Sequence, residues 1–278
     1  LSRGLGDVYK RQLQEFPDVF MFLNGASEVK HETDDEIYDL FMSLDCGDPD
    51  RFTPFAQYFE TAKRTLCIDH HISNKGFGDV CYVEPQACSA AEAIFKLLDE
   101  DKINQPCAEA LYMGIVHDTG VFKHSNTTRS AMTIAGILIE KGARPSFVID
   151  ETFYKKTLTQ NKLLGYALLG MKQFANGKIA HTLLTFEDFE KFGASKMDTD
   201  GIVDQLRLTS GTEVAFFMYQ FGENEYKISL RANNIVNVSE IACSHGGGGH
   251  VKAAGCNIKG DPDKIVAEIV AEIEKQLV

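Results

Sequence analysis

Short apolar runs that end in clustered carboxylates and histidines constrain this chain more than any other feature. Residues 40–44 read LFMSL and stop at Asp45-Cys46-Gly47-Asp48, and residues 65–68 read TLCI and stop at Asp69-His70-His71. A similar run, VFMFL, lies earlier at residues 19–23. All three are strand-sized, and a strand that is apolar on both faces belongs in a buried parallel sheet. In open sheets of that kind ligand sites gather at the carboxyl ends of the strands. Both polar clusters fall there.

Helical spacing of apolar residues follows at 89–98, at 107–116 and at 130–139. The second stretch is closed by His117-Asp118-Thr119-Gly120. The third is opened by Thr127-Thr128 as an N-cap and stopped by Lys141-Gly142. Strands interleaved with helices predict an α/β domain. From residue 149 the pattern changes. It predicts a connecting helix at 157–170, a strand at 178–185, and a hairpin of 213–221 with 225–232 around Gly222-Glu223-Asn224. A short helix at 238–243, a glycine run at 246–249 and an amphipathic helix at 262–277 capped by Asp261 complete a smaller second α/β unit.

Composition narrows the function. The chain has 278 residues, room for two modest domains, with 44% hydrophobic and 24% charged residues. No apolar stretch is long enough to span a bilayer, and no apolar segment of signal-peptide type follows the first basic residues, so a cytoplasmic protein without a membrane partner is expected. Seven cysteines with no CxxC pair fit buried free thiols better than disulfides or a zinc site. A net charge of −12 argues against a broad basic face for long duplex nucleic acid. It leaves room for a small phosphorylated substrate held by metal ions and a few local donors. Residues 1–12, LSRGLGDVYKRQ, resemble translated adaptor sequence and are read as a non-native segment.

Asp45, Asp69, His70, His71 and Asp118 each follow an apolar segment. Hard divalent cations take carboxylate oxygen, and manganese also takes imidazole nitrogen, so ligands from several strand ends can surround one metal cavity. An isolated Asp-His-His also fits a turn, and an isolated Asp118 fits a helix end. The succession LDCGD, IDHH and GIVHDTGVF is what points to metal chemistry. The second constellation is Gly246-Gly247-Gly248-Gly249-His250, followed by Val251-Lys252-Ala253-Ala254-Gly255. Glycines let backbone N–H groups approach an anion, and a helix beginning at His250 would add its positive end. Four glycines alone also fit a linker, and Lys252 alone fits a solvated surface residue.

On these residues the sequence resembles the DHH phosphoesterases, and within them the oligoribonuclease/pAp-phosphatase group, over about residues 17–278. Leu44-Asp45-Cys46-Gly47-Asp48 is similar to the family's second motif. Asp69-His70-His71 with Ser73-Asn74 is similar to the third, and residues 114–122 with Ser125-Asn126-Thr127-Thr128 to the fourth. GGGGH-x-x-A-A-G resembles the signature of the DHHA1 domain.

The resemblance implies an incomplete DHH catalytic domain at 13–148, with a mainly parallel sheet flanked by helices. It also implies a linker helix region at 149–176 and a DHHA1 substrate-binding domain at 177–278. Asp45 would bridge two metals, and His70 and Asp118 would ligate the second. Asp69 and His71 would be the catalytic pair, His71 facing the phosphate and Asp69 orienting the histidines. Asn74, Gly247, Gly248, Gly249 and His250 would contact substrate. Arg231 would grip the far phosphate, which guanidinium does bidentately.

The implied cofactor is Mn2+, with Mg2+ also allowed. The implied reaction is hydrolysis of short oligoribonucleotides and of pAp (3′-phosphoadenosine 5′-phosphate) to mononucleotide and AMP. A linear or cyclic dinucleotide phosphodiesterase, or a nucleotide-binding module without turnover, uses the same residues. A RecJ-like exonuclease lacks support because no basic channel is evident, and the family's pyrophosphatases lack the GGGGH loop.

One family motif is not found. The family opens with a strand carrying His-x-x-x-Asp-x-Asp. The nearest match, His31-Glu32-Thr33-Asp34-Asp35, has Ile37 where the second aspartate belongs and stands in the wrong order. It is read as a solvated helix start. The first strand and helix of the DHH sheet are therefore expected to be missing, leaving apolar surface exposed and the chain weak or inactive.

Overall fold

The computed structural model describes residues 10–11, 17–30, 35–52 and 55–277. Most of the 1–12 segment and His31-Glu32-Thr33-Asp34 lie outside them. The chain divides into two compact units, Leu1–Lys155 and Lys156–Val278.

In the first unit, β1 (Leu40–Leu44), β2 (Arg64–Asp69) and β3 (Val80–Val83) form a parallel sheet in the order β1-β2-β3. The central strand is buried at its carboxyl end, where Cys67, Ile68 and Asp69 are all inaccessible or nearly so. On β1, Phe41 packs against Phe52 and Phe59. Its other face carries Leu40, Met42 and Leu44, which remain 48%, 47% and 48% exposed. Three longer helices follow: α1 (Ala90–Leu97), α2 (Gln105–Asp118) and α3 (Arg129–Glu140). Each starts on a polar side chain that accepts from the first turn: Ser89 from the Glu92 N–H, Asn104 from Cys107 and Thr128 from Ala131. Their apolar faces share a core that includes Leu111, Tyr112, Ile115, Ile134 and Leu138.

The run at 19–23 does not form a strand. Asp18–Phe20 is a 3-10 turn, continued by bonds from Met21 to Asp18 and from Leu23 to Phe20. A strand needs a neighbour to accept its ladder. Here the aromatic rings go instead to the helical core side, Phe20 against His117 and Phe22 against Phe147.

The second unit starts with α4 (Leu158–Leu169), opened by a reciprocal Thr157–Gln160 capping box. A six-stranded mixed sheet follows, built from β4 (Lys172–Phe174), β5 (Ile179–Leu184), β6 (Val214–Gly222), β7 (Glu225–Ala232), β8 (Gly248–His250) and β9 (Ala253–Lys259). Its order is β8-β9-β7-β6-β5-β4, with only β5 and β6 parallel. Helices α4 and α5 (Ile202–Arg207) cover one face, where Leu163, Ala180, Leu206, Ala215 and Phe217 meet. Helices α6 (Val238–Ser244) and α7 (Pro262–Glu274) cover the other, around Phe216, Met218, Ile228, Leu230 and Ile269.

The helix anticipated at His250 is absent. Residues Gly248–His250 pair antiparallel with Ala253–Gly255 across a turn at Val251-Lys252. Glycine is required for that pairing. A Cβ on Gly247 would stand 2.2 Å from the Gly255 carbonyl oxygen, and one on Gly249 2.5 Å from that of Ala253.

All seven cysteines are free. No described helix is long and apolar enough to cross a membrane.

Candidate functional site

The site of the first unit is built where β1 and β2 end. Asp45 follows β1 directly and adopts a left-handed backbone, φ 57°, anchored by its N–H to the Ile68 carbonyl. Asp69 closes β2 and is fully buried. Its Oδ1 accepts from the His70 N–H at 2.7 Å and lies 2.7 Å from His71 Nδ1, while its Oδ2 accepts from Asn74 Nδ2 at 2.7 Å. Burial alone would raise the Asp69 carboxyl, but the bonds from Asn74, His71 and the His70 backbone outweigh it and hold the group below its ordinary value.

This network sets the imidazoles. His71 Nδ1, facing a carboxylate, is the protonated nitrogen, which leaves Nε2 open. Gly47 makes room for the ring, since a Cβ there would lie 3.3 Å from His71 Cβ. His70 Nδ1 faces the Ala87 carbonyl at 3.2 Å, so its Nε2 is the nitrogen turned to Asp45 and Asp118, 3.5 Å from each. The Asp45 hydrogen bond is foremost in raising the His70 pKa to about 9, against the opposing effect of burial. Asp118, the last residue of α2, is raised by burial and then by Asp45.

Donor atoms of Asp45, His70 and His71 all lie within 4.8 Å of one another. That set, one carboxylate and two imidazoles, is joined by the Asp118 carboxylate 3.5 Å from His70 Nε2, and such a mix of donors fits a hard or borderline divalent cation. Asp45, His70 and Asp118 are the groups that would hold it.

Asn74 uses its polar atoms inside the protein. Besides Asp69, its amide donates to the Cys46 carbonyl at 3.2 Å, and its Oδ1 accepts from Gly76 at 2.8 Å. Glu92 escaped the sequence reading as part of the site. Its buried carboxylate accepts from the Cys88 N–H at 2.8 Å and from Ser130 at 2.6 Å, which fixes the peptide whose carbonyl holds His70. The Ser89-x-x-Glu92 spacing is a helix-start signal in the sequence, but it carries no hint of His70.

The remaining candidates lie in the second unit. Cross-strand register aligns His250, Ala253, Arg231 and Ala215 in one row. Directly paired residues project to the same face, so Arg231 and His250 flank the small Ala253. Arg231 Nη1 donates to the Leu230 carbonyl at 3.1 Å, and its Nε lies 3.4 Å from Asp204 on α5. Lys252 is committed to the backbone, donating to the carbonyls of Asn234 and Val236. The loop it holds is fixed from the other side by buried Glu213, which accepts from the N–H groups of Asn234, Ile235 and Val236.

Fold and site together define a two-unit α/β protein whose first unit gathers carboxylates and histidines able to hold a divalent cation at the ends of a parallel sheet. Comparison with known proteins gives the class a family. The family model described as DHH family, N-terminal domain, matches residues 4–115, and the DHHA1 domain model matches residues 176–278. The bifunctional oligoribonuclease and PAP phosphatase NrnA of Bacillus subtilis is 28% identical over 280 residues, covering 96% of this chain and 87% of that protein. Its namesake from Thermus thermophilus is 30% identical over 213 residues, 76% of this chain and 64% of that one. The crystal structure of an exopolyphosphatase-related protein from Bacteroides fragilis shares the fold, with a TM-score of 0.82 at 24% identity over 95% of this chain and 82% of that chain. The chain belongs to the DHH/DHHA1 family of phosphoesterases and is a hydrolase of that class.

Proposed function

We propose that the chain carries the machinery of a metal-dependent phosphoesterase that cleaves short oligoribonucleotides and pAp, yielding mononucleotide or AMP. The observation that supports this most is the convergence of Asp45 and Asp118 on His70 Nε2, each at 3.5 Å. Mn2+ suits a mixed carboxylate and imidazole set best, and Mg2+ is tolerated by the carboxylates. Held by Asp45, His70 and Asp118, a divalent cation would supply Lewis-acid chemistry toward a phosphoryl oxygen and a water nucleophile.

The chain's own side chains do the rest. Asp69 fixes the tautomer of His71, whose open Nε2 is read as the group facing the substrate phosphate. Asn74 is read as a positioning residue for Asp69 rather than a substrate contact, because its amide is already occupied. In the second unit, Arg231 and His250 are read as anchors for a further phosphate over the small Ala253. Gly247 and Gly249 are read as permitting the hairpin, and Gly248, with open space above it, as the glycine best placed to admit an anion. The names of the Bacillus and Thermus relatives favour oligoribonucleotides and pAp as substrates.

The test is to incubate the full chain with Mn2+ and either pAp or a 5′-phosphorylated diribonucleotide and follow product by chromatography. Slow release of AMP or mononucleotide is expected, in keeping with the missing His-x-x-x-Asp-x-Asp motif, and Asp69→Ala should slow it a further factor of about 10–100, the usual effect of losing a residue that orients metal ligands. Calorimetric binding of pAp with no product from the unaltered chain would overturn hydrolysis and leave a nucleotide-binding module.

A further inference from the structure

We infer that Asn126 is a positioning residue for the metal centre, its side-chain amide fixing the spacing between His70 and Asp118. The inference rests on the reading that these two residues share a divalent cation. They stand on different elements, His70 after β2 and Asp118 at the end of α2. His70 is oriented through the Ala87 carbonyl, in the segment leading into α1.

Asn126 joins that segment to the end of α2. Its Nδ2 donates to the Cys88 carbonyl at 3.0 Å and to the Asp118 carbonyl at 3.1 Å. Both partners can only accept, so the amide orientation is dictated by chemistry. One NH2 group thus ties the residue after Ala87 to the backbone of Asp118. The Asp118 carbonyl is one of those a helix leaves without an internal partner at its C-terminus. A turn earlier, α1 and α2 are already in close contact, since a Cβ on Gly114 would lie 2.7 Å from Ala91 Cβ. Asn126 extends that contact to the end that carries the ligand.

The chain adopts a disfavoured path to bring Asn126 there. Gly120, Val121 and Phe122 are successively left-handed, with φ of 55°, 59° and 60°. Such a run is disfavoured for L-residues, above all for β-branched valine. It is held by bonds from Val121 N–H to the Val116 carbonyl at 2.8 Å, from Phe122 N–H to Thr119 Oγ1 at 3.1 Å and from His124 N–H to the Thr119 carbonyl at 2.8 Å. Backbone strain of this kind persists where its surroundings over-determine it, and it clusters at functional sites. The reversal returns the chain onto Asp118, where Asn126 closes the clamp.

The experiment is a Mn2+ titration of the full chain, reading free Mn2+ by electron paramagnetic resonance, so it depends on neither substrate nor turnover. Asn126→Ala is expected to weaken Mn2+ binding about 10–100-fold, and Asn126→Asp, similar in size but without the amide donors, at least as much. Asn104→Ala is the control. It removes the cap at the opposite end of α2, where Asn104 accepts from Cys107, and should lower the melting temperature while leaving affinity unchanged. Unchanged affinity in Asn126→Ala overturns the inference, as does an equal loss in Asn104→Ala, which would mark a general loosening of the helix. If the alanine variant does not fold, Asn126→Asp is read by the same two outcomes. An unaltered chain that takes up no Mn2+ would sink the underlying metal reading as well. Mn2+ uptake that Asn126→Ala leaves intact would sink only the clamp.

Discussion

Asp69 and Asp118 neighbour the same pair of imidazoles yet shift in opposite directions, and the difference lies in their donors. Burial pushes both up. Asp69 has Asn74, His71 and a backbone N–H to reverse the effect, whereas Asp118 has burial reinforced by Asp45 and only partly countered by the histidines. His181 in the second unit shows what burial does when little opposes it. It is 3% exposed, stacked on Phe216, and its pKa falls to about 4, chiefly through burial. The folded state therefore keeps His181 neutral, while the unfolded chain takes up a proton below about pH 6.5. Its contribution is complete above that pH and is lost as pH falls toward 4, on the order of 3 kcal/mol in all. Urea titrations should show the full chain losing stability between pH 6.5 and 5 more steeply than His181→Phe does. Parallel profiles would contradict the assignment.

At the scale of elements, the local rules held where partners are local. Helices began at Ser89, Asn104, Thr128, Thr157 and Asp261 because each side chain caps the backbone N–H three residues on. The glycine run is where a local rule failed, and it yields a sharp contrast among neighbours. Gly247→Ala would set a Cβ 2.2 Å from the Gly255 oxygen and 2.7 Å from Cys256 Cα, backbone atoms that cannot move aside cheaply. Gly249→Ala meets the Ala253 oxygen at 2.5 Å with φ at +146°. Gly248 meets nothing within 4 Å and has no positive φ. Each of the first two substitutions should cost about 1–3 kcal/mol, and Gly248→Ala less than about 0.5 kcal/mol, by urea denaturation of the full chain. Equal losses at all three positions would mean that the run is a flexible linker after all.

At the scale of the whole molecule, the boundary between the units falls at Lys155 and Lys156, inside the 149–176 region, and leaves α4 in the second unit. Helix α4 belongs to the second unit because Leu163 and Ala167 complete the core formed with Ala180, Leu184 and Phe217. Residues 156–278 should therefore fold alone with one cooperative urea transition. Residues 177–278, which lack α4 and β4, should be markedly less stable and prone to associate through the uncovered sheet face. Equal stability of the two fragments would show that α4 is a connector and not part of the core.

The sequence by itself determined the α/β class, the strands at 40–44 and 65–68, the capped helices, the hairpin around Gly222-Glu223-Asn224, and the placing of Asp45, Asp69, His70 and His71 at strand ends. Each of these depends on periodicity or on bonds spanning a few residues, which a linear reading can detect. Tertiary structure decided the rest. The run at 19–23 had strand character but found no ladder, and spent its rings on His117 and Phe147. Gly248–His250 became a strand because β9 offered a partner that glycine alone could approach. The open nitrogens of His70 and His71 were chosen by Ala87 and Asp69, and the reach of Asn126 across to Cys88 and Asp118 has no counterpart in spacing. Hydrogen bonds between residues distant in the chain have no period. Only the folded arrangement brings their donors within about 3 Å of their acceptors.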